Sequence, residues 1–190
     1  MVPVSLTTQR TPAAERQFEP SNVMFRVARG VLGSPDGRVL DMGCGYGRNA
    51  IALAKLGHHV VAVDNDFERL KFLMHEKDVG RRAQKGSITC IKADLSSANW
   101  PFAENSFTGI ASVHFTKYQP IRFVHRFLQE NGWLYFDSVG AQGKNYLQLP
   151  ERGWMKNVLQ DHFRFEHYEE RHAGPRGENA VAIRLLAKRI

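Results

Sequence analysis

The run Asp41-Met42-Gly43-Cys44-Gly45-Tyr46-Gly47 places a carboxylate directly ahead of three alternating glycines. Glycines let backbone N–H groups come close to a ligand, and a helix that starts straight after them presents N–H groups with no intrahelical partner. The chemistry suited to that arrangement is the binding of a nucleotide-type ligand. Farther on, Val60-Val61-Ala62-Val63 leads into Asp64, and a carboxylate at the tip of such a strand can accept both hydroxyls of a ribose. A glycine turn alone would say little, but turn, helix and acidic strand end within a unit of about 30 residues form a specific pattern.

The elements that must carry these groups follow from the apolar runs. Arg38 to Met42 reads as a strand, Gly43, Gly45 and Gly47 as a turn, and Arg48 to Leu56 as a helix ended by Gly57, followed by a second strand closing on Asp64. A dinucleotide fingerprint needs its third glycine where Arg48 stands, and a side chain there would hold helix and strand apart. Ile88 to Asp94, Thr108 to Phe115 and Gly132 to Val139 read as further strands. Helices are expected from Pro20 with Ser21 as cap, over Phe67 to Met74, over Ile121 to Glu130 with Gly132 after its end, and over Arg152 to Leu159. Strand and helix alternate, so the sheet is expected to be mainly parallel. Phe163 to Arg171 and Asn179 to Lys188 break the rhythm: only a short turn with Gly174, Pro175 and Gly177 separates them, so they must pair as an antiparallel hairpin.

The spacing Asp-x-Gly-x-Gly-x-Gly resembles motif I of the class I S-adenosylmethionine-dependent methyltransferases. The resemblance runs in order from Gly37 to His114, and Trp100-Pro101-Phe102-Ala103-Glu104-Asn105-Ser106-Phe107 is similar to the stretch that leads into the fourth strand of many small members, with Thr108 in place of their usual aspartate. It implies a doubly wound α/β fold with a seven-stranded, mainly parallel sheet and an antiparallel C-terminal hairpin, and S-adenosylmethionine as cofactor. It implies that the glycine turn passes under the methionine part, that Asp41 helps hold the ammonium group, that Asp64 binds the ribose hydroxyls and that Asp94 lies by the adenine amino group. The cofactor-binding set carried over in this way is Asp41, Gly43, Cys44, Gly45, Gly47, Asn49, Asp64, Asn65, Asp94 and Leu95.

A sulfonium already activates its methyl group, so such an enzyme must mainly align the reactants and, for an acceptor that carries a proton, supply a base. Catalytic candidates therefore belong at the ends of the fourth and fifth strands. After strand four these are His114, a possible base, Lys117, which could neutralise an anionic acceptor, and Tyr118, a possible acceptor wall. After strand five they are Asp137, Ser138, Asn145 and Tyr146. Each also fits a packed or solvated role. His162, His167 and His172 recur every five residues but run from a helix end into a strand, so they should not share a face, and no metal is expected. Trp154 and Met155 read as the core face of a short helix.

Strand four ends Ser112-Val113-His114-Phe115 and not Asn-Pro-Pro-Tyr, the sequence used by methylases of exocyclic base amines and glutamine amide. Gly45-Tyr46-Gly47-Arg48-Asn49 is similar to the turn of tellurite-resistance-type methyltransferases. A small-molecule acceptor leads. Methylation of RNA or of a protein side chain, and cofactor binding without catalysis, stay open. The net charge of +7 is spread over Arg81-Arg82 with Lys85, Arg122 with Arg126 and Lys188-Arg189, which does not build a nucleic-acid face.

At 190 residues the chain suits one domain: a loose arm over residues 1–19 and a single domain over 20–190. Cys44 and Cys90 are the only cysteines, no run approaches the roughly 20 apolar residues of a membrane span, and Met1 to Arg10 lacks a signal-peptide core. The expected location is the cytoplasm, away from membranes.

Overall fold

The computed structural model describes residues 21, 24–25, 30–32, 37–79, 86–97, 99–115, 117–138, 149–173 and 180–190. The expected arm, the basic cluster at 81–85, Asn145, Tyr146 and the turn at 174–179 lie outside the described residues. Seven strands form one sheet: β1 (Arg38–Met42), β2 (His59–Asp64), β3 (Ser87–Lys92), β4 (Phe107–Val113), β5 (Leu128–Asp137), β6 (Phe163–His172) and β7 (Val181–Arg189). Among the described residues, helices α1 (Arg48–Lys55), α2 (Phe67–Val79) and α3 (Trp154–Leu159) accompany them. The order is β3-β2-β1-β4-β5-β7-β6. All pairs among β1 to β5 are parallel, whereas β7 runs antiparallel to both β5 and β6. The mainly parallel sheet and the C-terminal hairpin are thus as the sequence predicts.

Alternation along the strands splits the core between the two sheet faces. Leu40, Met42, Ile110, Leu134 and Phe136 pack on one face, and Val39, Ala111, Trp133 and Tyr135 on the other. The second face is covered by α1 through Ala50, Leu53 and Ala54. Helix α1 ends as a Schellman turn: Gly57 N–H donates to Ala54 C=O at 3.0 Å, His58 N–H donates to Leu53 C=O at 3.2 Å, and Gly57 takes φ +110°. Gly109 pairs with Trp133, and a Cβ at Gly109 would run into the indole ring. Ser21 caps the chain at Met24 as expected, its hydroxyl accepting the Met24 N–H at 3.2 Å.

Three expectations are corrected. Residues 121–130 are not an α-helix: a 3-10 segment covers Gln119–Arg126, Phe127 N–H closes on Val124 C=O at 3.0 Å, and β5 begins at Leu128. Apolar residues three apart fit a 3-10 turn as well as an α-helix over so short a span. Gly132 therefore follows no helix. It lies beside Asn131 (φ +61°) in a bulge of β5, between the pairs Phe107–Leu128 and Gly109–Trp133. Helix α2 continues past Met74 to Val79, and α3 starts at Trp154 rather than Arg152. Among the described residues no helix is long and apolar enough to cross a membrane. The outer strand β6 carries the ion pairs Arg164–Glu166 (2.9 Å) and Arg171–Glu169 (2.6 Å) along its length.

Candidate active site

The strand order reverses between β1 and β4, and ligands of such sheets bind outside the carboxyl ends of the strands at that reversal. A cleft lies there. Its lining includes Gly43, Asp64, Asn65, Asp94, Leu95, His114 and Lys117 from the sequence-derived set, joined by Arg69 and Phe115.

The glycine turn is built from backbone bonds. Cys44 N–H donates to Val63 C=O at 2.9 Å, which ties the turn to the end of β2, and Gly47 N–H returns to Cys44 C=O at 2.9 Å. Gly43, Gly45 and Gly47 all take positive φ (+69°, +55°, +79°), which glycine adopts freely. Their surroundings differ. A Cβ at Gly43 would meet the Phe115 ring and one at Gly47 the Leu73 side chain, whereas Gly45 has nothing within 4 Å of that position. Gly45 is the open point of the turn. Its N–H donates to Asp64 Oδ2 at 2.8 Å, and Asp66 N–H donates to Asp64 Oδ1 at 2.9 Å. Each Asp64 oxygen has taken one backbone donor, and a carboxylate oxygen has room for another.

Asp41 does not line the cleft. It lies 1 % exposed on the face covered by α1, with no hydrogen-bond partner for Oδ2 among the described residues. Burial pushes its carboxyl up to about 7, with Asp64 adding to the rise and the Ala50 N–H and the Arg48 guanidinium opposing it. A buried acceptor atom without a donor fits a cationic group from the ligand. Cys44, Gly45, Gly47 and Asn49 also lie outside the cleft lining. Asn49 is buried, and its Oδ1 accepts the Ser21 N–H at 2.9 Å, so its carboxamide ties Ser21 to α1. Burial likewise pushes the Cys44 thiol up, which keeps it protonated and unreactive. On the far side of the cleft, the Ser96 hydroxyl and N–H hold the Asp94 carboxyl below the usual range, and Lys117 adds to this. The Leu95 C=O accepts the Trp100 Nε1–H at 3.3 Å.

The catalytic candidates separate. His114 and Lys117 border the cleft, whereas Tyr118 lies outside its lining and meets Trp154 edge-on with ring centroids 4.8 Å apart. His114 takes φ +60°, its N–H donates to Asp137 C=O at 2.8 Å, and Arg48 Nη2 lies 3.2 Å from its Nδ1. Burial, Arg48 and Arg184 push its pKa below the ordinary value against the opposing pull of Asp137. Asp137 is engaged elsewhere: its Oδ2 accepts Arg184 Nε–H and Tyr135 O–H, each at 3.2 Å. Ser138 Oγ accepts the Ile183 N–H at 2.7 Å and so pins the end of β5 to β7. Sequence reasoning missed Arg48, Phe115 and Arg69; for Arg48 the available sign was its place at the first helical position after the glycines. Among the described residues no group of three or more His, Cys, Asp or Glu side chains could hold a metal ion. His162 instead stacks on His125 with ring centroids 3.8 Å apart.

A family model described as a methyltransferase domain matches residues 40–136, half of the chain. Among solved structures, an S-adenosylmethionine-dependent methyltransferase from Methanosarcina mazei is 17 % identical with a TM-score of 0.61, covering 90 % of this chain and 99 % of its own. One from Mesorhizobium loti is 19 % identical with a TM-score of 0.63, covering 89 % of this chain and 99 % of its own. One from Aquifex aeolicus is 16 % identical with a TM-score of 0.64, covering 95 % of each chain. At such identities the likeness is one of fold. No curated protein matches the chain.

Proposed function

We propose, from the premise that the chain belongs to the methyltransferase-domain family, that it methylates a small-molecule acceptor by direct in-line transfer. Its cofactor is S-adenosylmethionine, whose sulfonium supplies an activated methyl group, and it is an enzyme of that class. What the chain must add is position: two reactants held in line with water displaced from between them.

The observation that carries the reading is Asp64. It ends β2 at the cleft, it is fixed by two backbone N–H groups, and each of its oxygens can take one ribose hydroxyl. Asp94, Leu95 and Asn65 flank it and suit the adenine end. The open Gly45 backbone and the partnerless Asp41 oxygen suit the amino-acid end, where Asp41 would face an ammonium group from below the turn. His114, Phe115 and Lys117 at the end of β4 suit the acceptor side. Cys44 and Cys90 stay outside any disulfide, which agrees with a reducing cytoplasm.

Calorimetric titration with S-adenosylmethionine, S-adenosylhomocysteine and NAD tests the cofactor site. Binding of the first two and not of NAD is expected, and tighter binding of NAD would overturn the reading. A methyl-transfer screen with labelled cofactor against small metabolites, oxyanions and total RNA tests the acceptor. Label passing to RNA alone, with a salt-dependent gel shift, would overturn the small-molecule assignment.

A further inference from the structure

Arg48 has no part in the scheme above, yet its side chain makes a contact with chemical consequences. It opens α1 beside β1, and its guanidinium reaches across to the end of β4, where Nη2 lies 3.2 Å from His114 Nδ1. A guanidinium can only donate. Nδ1 must therefore be the acceptor, and the proton of a neutral imidazole must sit on Nε2. The ring is held by its backbone as well: His114 takes φ +60° and its N–H is bonded to Asp137 C=O at 2.8 Å.

The charged groups that act on this ring are Arg48 from α1, Arg184 from β7 and Asp137 from β5. Asp137 is already paired with Arg184 at 3.2 Å, and burial with the two cations keeps the imidazole neutral at neutral pH. A neutral ring whose Nδ1 lone pair is occupied offers the cleft an N–H and no base. Lys117, in the same cleft lining, offers ammonium donors and makes no ion pair among the described residues. The cleft carboxylates follow β2 and β3: Asp64 accepts one backbone N–H on each oxygen, and Asp94 accepts from Ser96 and feels the charge of Lys117. At the end of β4 the free groups are donors.

We propose that the methyl acceptor arrives as an oxyanion, received by His114 Nε2–H and Lys117, with Arg48 as a positioning residue that fixes the imidazole tautomer. The proposal rests on the methyltransferase reading and names its substrate class. It balances without a base. As the bond from the acceptor oxygen to the methyl carbon forms, the carbon–sulfur bond breaks, its electron pair stays on sulfur, the two opposite charges cancel and no proton moves.

The test uses the full chain with nitrogen-15 labelled histidine, saturated with S-adenosylhomocysteine. Long-range proton–nitrogen spectra at neutral pH should show His114 with Nδ1 bare and Nε2 protonated, and Arg48→Met should raise the pH at which Nδ1 takes up a proton. Acetate is the anion probe and acetamide its neutral match. Acetate should shift the His114 signals with an affinity at least about 10-fold above acetamide. Above the pH at which Nδ1 takes up its proton, Arg48→Met should lower that preference at least about 3-fold, and Lys117→Ala should lower it in large part. A protonated Nδ1 in the native chain, or equal responses to acetate and acetamide, would overturn the proposal. The remaining source of a carboxylate is the cofactor itself. If Arg48→Met weakened S-adenosylhomocysteine by about 10-fold while leaving 5′-methylthioadenosine, which lacks the carboxylate, unchanged, the pair would serve the cofactor and the proposal would also fall. Failure of the native chain to bind S-adenosylhomocysteine at all would sink the methyltransferase reading instead, and it is measured first.

Discussion

Replacing Asp41 with Asn removes a charge that the folded chain holds at a cost. The carboxyl is 1 % exposed, lacks a partner for Oδ2 among the described residues, and is pushed by burial from 3.8 to about 7. A raised carboxyl pKa means that the folded chain keeps a proton the unfolded chain has shed. Stability is therefore lost as pH rises: the penalty is absent below the unfolded pKa of 3.8, grows across the window up to about 7, and is complete above it. At about 1.4 kcal/mol per pH unit, that interval is worth roughly 4 kcal/mol. Asp41→Asn keeps the shape and removes the ionisation. Urea unfolding of both proteins without cofactor, at about pH 4 and about pH 8, should show the variant gaining a few kcal/mol on the native chain between the two. A difference between the proteins that does not change with pH would refute the reasoning. If a cofactor ammonium settles beside Asp41, it should drive the proton off. Calorimetry near pH 6 in two buffers of different protonation enthalpy should then show up to about one proton released by the native chain and none by the variant.

Asp64→Ala should weaken S-adenosylmethionine by roughly 10- to 100-fold, because ribose hydroxyls in a partly dry cleft would lose their acceptors; unchanged affinity by calorimetry would remove Asp64 from the site. Gly45→Ala meets no atom within 4 Å of its new methyl, so its stability loss should be only the strain of φ +55°, about 1 kcal/mol. Cofactor affinity should nevertheless fall by at least about 10-fold, and a variant that binds normally would place the ligand away from the turn. Gly109→Ala drives a Cβ into the Trp133 indole and should lower stability by about 1–3 kcal/mol in urea, with no loss meaning that β4 and β5 pair in another register.

The strands and the glycine turn were legible because their pattern is local. An apolar run, a turn of glycines and a closing acid are neighbours in sequence, and parallel pairing follows from alternation with helices. The 3-10 segment at 119–126 was misread because apolar residues three apart are compatible with both helical forms, and Gly132 was misread because a glycine after such a run looks the same whether it ends a helix or sits in a bulge. In the site, Asp64 and Asp94 were readable from their places at strand ends. Arg48 was not, since its contact with His114 joins residues 66 apart. Asp137 looked available for chemistry for the same reason: Arg184, its partner, lies 47 residues away. Nor does the residue type announce that His114 takes a positive φ.

β7 follows β6 in the sequence yet lies between β5 and β6 in the sheet. Order of synthesis and order of assembly therefore disagree. As the chain leaves the ribosome, β6 appears with no neighbour to join, and β5 waits with the open N–H and C=O row of Leu134, Tyr135 and Phe136, residues that end fully covered. Only when Val181–Arg189 arrives can both be satisfied, so the half-made protein carries a long apolar edge of the kind that recruits other chains. The charged pairs on β6 guard the finished edge and do nothing for this one. A stop within β7 would leave β5 as an exposed edge and β6 detached, and such a product should aggregate where the chain that carries β7 folds.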